Sequence, residues 1–243
     1  MVNVLIGYSG FIGSYLNSKF PTKFQVRLNS SSISDVTMDK INELVIAAPS
    51  GSKYLVNKNS SEDLANINQI VAFVKRCKSI NKVILISSLD ALKGGNAYGG
   101  NRKFLVDKLK AIKDLDLYVF YLGMVFGNGA HKGMIYDFAQ GNSTYYGKGM
   151  FQFYPVSYLA DDMYRNVYRE QRHEAVLASE PISSDYIAGK FNLELNPDVP
   201  EQNWDIKPLG SENLLSVSAI NCSIALYCRH NIQYETYRLP LTS

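Results

Sequence analysis

Disulfide and metal chemistry have little to work with in this chain. Cysteine occurs three times in 243 residues, as Cys77, Cys222 and Cys228, and histidine three times, as His131, His173 and His230. Neither set shows the paired spacing of a metal site, so no metal is expected. An odd cysteine count without a secretion signal reads as reduced thiols in the cytoplasm. The first apolar run begins at Val2, which on this reading leaves no room for a leader. Apolar stretches stay short of a membrane span, so no membrane partner is expected. Runs of lysine and arginine are missing too, and the formal net charge is +3, which argues against nucleic acid as the main partner. No internal repeat stands out, and the sole biased stretch is Ser30-Ser31-Ser32. What is present is an apolar fraction of 46%. That suits one α/β domain, or one with a small appended lobe.

The chain opens on Val2-Asn3-Val4-Leu5-Ile6 followed by Gly7, Gly10 and Gly13. A short apolar run into spaced glycines and then an apolar segment predicts a buried strand, a tight turn and a helix. At a dinucleotide site each glycine has a task. Gly7 turns the chain off the strand, Gly10 lets backbone approach a pyrophosphate, and Gly13 packs the helix on the strand. The helix N-terminus would present free N–H groups to the phosphates. A Gly-rich turn in an ordinary α/β protein is the plainer alternative, and the strand before and helix after count against it.

Further along, a helix is expected over about 11–20, ending before Pro21, and a second strand over 24–28. In a dinucleotide fold the end of that strand reaches the adenosine ribose. An NAD site carries Asp or Glu there, whereas this chain has Asn29, with Arg27 nearby. The reading leans towards NADP. Residues 44–49 read as a third strand, 64–78 as an amphipathic helix with basic residues late, 82–88 as a fourth strand ending in Ser87 and Ser88, 104–112 as a helix and 117–122 as a fifth strand. Strands alternating with helices predict a Rossmann-type, doubly wound parallel sheet, with ligands at the strands' carboxyl edge. After Gly123 the texture changes, helical character returns over 156–168, and the tail from Asn213 has no assigned structure.

Ser88, Tyr98 and Arg102 are expected at that edge. Tyr98 and Arg102 are four apart, so on a helix they share a face. A tyrosine beside a cation is a coherent acid/base: the cation is expected to lower the phenol's pKa from about 10 towards working pH. Ser88 would hydrogen-bond the same substrate oxygen. Each residue also has a plain structural reading: a strand-end cap for Ser88, surface packing for Tyr98.

In this order the motifs resemble the extended short-chain dehydrogenases/reductases of the NAD-dependent epimerase/dehydratase type, which act on nucleotide sugars. Gly7-Tyr8-Ser9-Gly10-Phe11-Ile12-Gly13 is similar to the cofactor loop of that superfamily. Asp35-Val36 resembles its acidic-aliphatic pair at adenine, Ala47-Ala48 its cofactor-lining loop and Asn66-Ile67 its Asn-Val helix motif. Ile86-Ser87-Ser88 resembles the strand with the active-site hydroxyl, and Tyr98-Gly99-Gly100-Asn101-Arg102 its Tyr-Gly-x-Ser-Lys. Met124-Val125-Phe126-Gly127 and the segment from Val156 to Asp162 resemble the start of its substrate lobe. The match spans roughly residues 1–170. It departs at Arg102, where the family has lysine. Lys103 lies about 140° round an ideal helix from Tyr98, so Arg102 is the equivalent. The stretch between Ser88 and Tyr98 is short for the family.

The resemblance implies a Rossmann core over residues 1–125 and a small substrate-binding lobe over 126–243, interleaved with the last core elements. It implies an NAD(P)-dependent oxidoreductase or epimerase using Ser88, Tyr98 and Arg102 on a nucleotide-linked sugar or related carbonyl compound. Gly7, Ser9, Gly10, Phe11, Ile12, Gly13, Arg27, Asn29, Asp35, Val36, Ala47, Ala48 and Asn66 would hold the cofactor. Asp35 and Asn66 read equally well as a loop carboxylate and a solvated helix residue. The partner is a small-molecule substrate, and a homodimer is left open. Two rivals remain: a dinucleotide-binding regulatory or redox-sensing module without catalysis, and an isomerase or dehydratase that uses bound NAD as a transient hydride store.

Overall fold

The computed structural model describes residues 1–49, 51–210 and 213–231, the last two by backbone alone. The side chain of His230, read as a surface or loop residue, and the tail beyond 231 lie outside the described residues.

The first half alternates as expected. It runs β1 (Val2–Ile6), α1 (Phe11–Lys19), β2 (Val26–Leu28), β3 (Lys40–Ile46), α2 (Lys53–Lys58), α3 (Ser60–Arg76), β4 (Ser79–Ser88), α4 (Asp90–Lys93), α5 (Ala97–Lys110) and β5 (Leu117–Leu122). The second half holds β6 (Met124–Phe126), α6 (Met134–Ala139), β7 (Gly149–Phe151), β8 (Phe153–Pro155), α7 (Leu159–Tyr164), β9 (Glu174–Leu177), β10 (Ile182–Ser183), α8 (Ser184–Lys190), β11 (Gln202–Asn203) and α9 (Val217–Asn231).

Six strands form one parallel sheet in the order β2-β1-β3-β4-β5-β9. Its centre is apolar on both faces: Val4, Leu5, Leu44, Val45, Val83, Val119 and Phe120 are fully buried, the near-continuous pattern of a sheet covered on both sides. Register is tight, with Ile6 opposite Ile46 and Ile46 opposite Leu85. The chain steps from β1 to β2 in one direction, then crosses to β3 on the other side of β1. That reversal is where open α/β sheets bind ligands, outside the carboxyl ends of the strands. Gly7 follows β1 and Ala47 follows β3 at that point.

A charged residue is buried in this sheet. Glu43 in β3 is paired with Lys23 at 2.6 Å and accepts a hydrogen bond from the Tyr168 hydroxyl. A buried carboxylate is tolerated when it is paired and hydrogen-bonded in this way.

Two compact units result: Met1–Tyr121 with Ala160–Ala175, and Leu122–Leu159 with the residues from Val176 onward. In the second, β6 pairs in parallel with β8, and β7 lies between β10 and β11. Residues Val217–Asn231 form α9, where the sequence reading assigned nothing. α9 buries Ile220, Ile224, Tyr227 and Cys228, the i, i+4, i+7 spacing of an amphipathic helix. Polar residues between those positions and the lack of clear caps hid it. Among the described residues no helix is long and apolar enough to cross a membrane, and no cluster of His, Cys, Asp or Glu could hold a metal ion.

Candidate active site

The three N-terminal glycines are not equivalent. Gly7 has φ +85°, and a Cβ there would stand 2.5 Å from the Ala47 carbonyl oxygen. A Cβ on Gly13 would meet the Gly7 carbonyl oxygen at 2.0 Å. Both positions must be glycine for the turn to close and α1 to seat. Gly10 differs: a Cβ there would touch only the Gly7 carbonyl oxygen, at an ordinary 3.5 Å. The fold does not require glycine at Gly10, so close approach of a ligand is what a side chain there would block. α1 starts at this point with no side-chain cap and no acidic residue in its first turn. Its free N–H groups and positive end therefore fit an anionic pyrophosphate. Ser9 and Gly10 are exposed, and Phe11 and Ile12 half-buried.

This sorting gives a test. Gly13→Ala should unfold the N-terminal turn. Gly10→Val should melt like the parent yet bind a dinucleotide tenfold more weakly or worse, because overpacking a close contact costs about 1–3 kcal/mol. Equal cofactor affinity in folded Gly10→Val, by fluorescence titration, would remove the pyrophosphate assignment.

At the end of β2, Asn29 is tied into a local turn. Its Oδ1 accepts from the Ser31 amide at 3.1 Å, the Ser31 hydroxyl at 2.7 Å and the Ser32 hydroxyl at 3.1 Å. The Arg27 guanidinium bonds Asn17 and the Pro21 carbonyl. That sets it beside the C-terminal half of α1 and away from the Gly10 end. The loop with exposed Asp35 and half-buried Val36 is pinned by Arg76, which donates to the Ile33 and Ser34 carbonyls at 3.1 Å. Ala47 and Ala48 follow β3 directly, and the Ala47 amide donates to the Ile6 carbonyl at 2.9 Å.

Ser88, Tyr98 and Arg102 are brought together. β4 ends on Ser88, and α5 begins at Ala97 with Asn96 as its cap, accepting from the Gly99 amide at 2.8 Å. The Tyr98 amide donates to Asn57 at 2.9 Å, which fixes the helix start against α2. Gly99 lets α5 lie against α4: a Cβ there would be 2.5 Å from the Asp90 carbonyl oxygen. The Arg102 guanidinium carbon sits 4.6 Å from the Tyr98 ring centroid. Arg102 and Ser88 both lie near enough to favour the ionised Tyr98 phenol. Lys103 points away and pairs with Asp107 at 2.6 Å on the surface.

The expected pKa shift of Tyr98 is corrected. Burial pushes the phenol above its ordinary value; Arg102 and Ser88 pull it down, and Asp90 adds a smaller upward push. Desolvation outweighs the cation, and Arg102 is itself paired with a buried acid. Asp63, in the first turn of α3, accepts from Arg102 at 2.7 Å and from the Asn101 side chain at 2.7 Å. Arg102 and Asp63 are each only 4% exposed. Asp63 was missed because an acid in a helix's first turn has an ordinary explanation in the helix dipole. Asn66, expected at the cofactor, lies one turn on from Asp63 and is half-buried. Asp90 was missed as well. It accepts from Ser88 at 3.2 Å, Lys53 at 2.6 Å and Asn96 at 3.3 Å.

No protein-family model matches the chain, and no curated protein matches it. Solved structures do. One is a hypothetical dTDP-4-dehydrorhamnose reductase from Sulfolobus tokodaii, 17% identical, TM-score 0.60, over 98% of this chain and 97% of that one. A UDP-glucose 4-epimerase from Thermotoga maritima, solved with UDP-glucose, is 12% identical, TM-score 0.65, over 95% and 98%. A dTDP-4-dehydrorhamnose reductase from Bacillus anthracis, in complex with NADP, is 10% identical, TM-score 0.63, over 95% and 98%. The chain shares the Rossmann fold of these reductases and epimerases.

Proposed function

We propose that this chain is an NAD(P)-dependent reductase or epimerase that acts by hydride transfer on a nucleotide-linked sugar or related carbonyl compound. The observation that carries the reading is Arg102 stacked 4.6 Å from the Tyr98 ring centroid, with Ser88 at the carboxyl end of β4 close enough to influence the phenol. A dTDP-4-dehydrorhamnose reductase and a UDP-glucose 4-epimerase of this fold support it. The nicotinamide dinucleotide supplies the hydride acceptor or donor. Gly7, Gly10, Gly13 and the start of α1 would take its pyrophosphate, and the turn at Asn29 would hold its adenosine end.

Tyr98 gives or takes the proton at the substrate oxygen, and Ser88 hydrogen-bonds that oxygen. Arg102 lies against the Tyr98 ring, and its permanent charge favours the phenolate that forms when the proton leaves. With its pKa pushed upward, Tyr98 holds its proton at neutral pH. It is ready as an acid, the form that reduction of a carbonyl needs.

The adenosine end favours NADP. No carboxylate stands at Asn29 to repel a 2′-phosphate. Asn29→Asp should keep the turn, since the carboxylate accepts the same bonds from Ser31 and Ser32, and should shift preference towards NAD. Titrating both cofactors against parent and variant checks this; a strong NAD preference in the parent would end the NADP lean.

One observation favours a second reading, a dinucleotide-binding module without catalysis: Asp63 neutralises the cation that should activate Tyr98. The deciding experiment is cofactor binding together with turnover on a panel of UDP- and dTDP-linked keto sugars. Turnover supports the enzyme. Cofactor binding without turnover on any of them supports the module.

A further inference from the structure

We propose that Asp63 is a positioning residue for the acid/base: its carboxylate fixes the Arg102 guanidinium against the Tyr98 ring and draws part of that cation's charge away from the phenol. This rests on the reading of Tyr98 as the proton donor above. Under the module reading the buried acid disables the site. Here it is what lets the site use an arginine at all.

Two consecutive residues of α5 close on one carboxylate. Arg102 donates to Asp63 Oδ1 at 2.7 Å, and Asn101 Nδ2 donates to Asp63 Oδ2 at 2.7 Å. Asn101 also reaches the Ser60 carbonyl at 3.4 Å, so α5 is latched to the first turn of α3. The side chains of Arg102 and Asp63 are 5% and 4% exposed, so water does little to screen the pair or to turn the guanidinium. The guanidinium carbon stands 4.6 Å from the Tyr98 ring centroid, within cation–π range. Asp63 lies in the first turn of α3, where the positive end of the helix favours an ionised carboxylate. Arginine is permanently charged, whereas a buried lysine readily sheds its proton. A buried arginine therefore calls for a fixed counter-ion.

The pair also changes what the phenol feels. A lone buried cation would favour the phenolate strongly. An adjacent anion opposes that attraction, because the two Coulomb contributions have opposite sign. The groups facing the phenol are Arg102 on α5, Asp90 on α4 and Ser88 at the end of β4. Asp90 is itself paired with Lys53 of α2 at 2.6 Å. The neutral Asn57 of the same helix accepts from the Tyr98 amide.

Asp63→Asn keeps the shape and an acceptor for Arg102 but removes the charge. Full-length protein labelled with ζ-¹³C tyrosine and titrated into the alkaline range reads ionisation of Tyr98, with Tyr98→Phe identifying its signal. Asp63→Asn should carry about tenfold more phenolate than the parent at a given alkaline pH, the low end of what a nearby opposite charge does. The alkaline fall in turnover should move to lower pH with it, and Asp63→Glu should return both towards the parent. A purely structural pair would change the melting temperature and leave the ionisation in place; that result in folded Asp63→Asn overturns the proposal. Adding Arg102→Met to Asp63→Asn should abolish the extra phenolate. Extra phenolate that survives would show Asp63 acting on Tyr98 without Arg102, and would overturn the positioning role. Should Asp63→Asn fail to fold, the parent decides: ¹⁵N-labelled arginine should give separate, slowly rotating Nη signals for Arg102, identified by Arg102→Lys, and a freely rotating guanidinium overturns the proposal. The titration needs no substrate. A parent without turnover therefore counts against the enzyme reading, while the ionisation still decides the role of Asp63.

Discussion

Tyr98→Phe is expected to lower turnover by roughly 10²–10⁴-fold, the range a general acid or base contributes. Fold and cofactor affinity should stay as in the parent. The ring stays, and with it the packing under the Arg102 guanidinium at 4.6 Å. What goes is the hydroxyl whose ionised form Ser88 and Arg102 favour. The pH profile gives a second check. Burial raises the phenol above its ordinary value, so its protonated form prevails through neutral pH. Reduction should then run at a level rate through neutrality and fall only as alkaline pH removes the proton. Turnover of Tyr98→Phe at the parent's rate would defeat the catalytic assignment. A parent profile that falls near neutrality would show that the phenol is not held protonated.

Arg102→Ala is expected to destabilise the protein by about 3–5 kcal/mol, because removing one partner of a buried pair leaves an uncompensated charge. For a chain of this length that lowers the melting temperature by roughly 6–20 °C. Asp63 would be left with Asn101 as its remaining partner of the two, in a site where it is 4% exposed. The activity loss of this variant therefore mixes folding with chemistry. Adding Asp63→Asn to Arg102→Ala removes the orphaned charge and should restore most of the stability, but not the turnover. Arg102→Lys should keep the pair with Asp63 and turn over as the parent does or faster. A single Arg102→Ala variant that melts with the parent, measured by calorimetry, would show that the pair contributes little.

The parts legible in the sequence were those set by local pattern. The run from Val2 to Ile6 and the three glycines specify strand, turn and helix through backbone conformation and near-neighbour packing. β5 and the helical region after Val156 follow from apolar runs of the right length. Tyr98 and Arg102 could be placed on one face because a helix fixes that relation at a spacing of four. Ser88 could be placed near them because the carboxyl ends of parallel strands share one edge.

Only the tertiary structure decided what surrounds those groups. The sequence separates Asp63 from Arg102 by 39 positions and Lys53 from Asp90 by 37. Nothing in either segment marks its partner, because an ion pair between distant elements depends on how helices pack. The same holds for the Tyr98 pKa: spacing reveals the cation, but only burial shows that desolvation outweighs it. α9 was missed for the related reason that its apolar spacing carries little signal until a neighbouring surface takes that face. Local periodicity and glycine placement thus determined the scaffold and the shared edge of the candidate side chains, while long-range packing decided which charges oppose them.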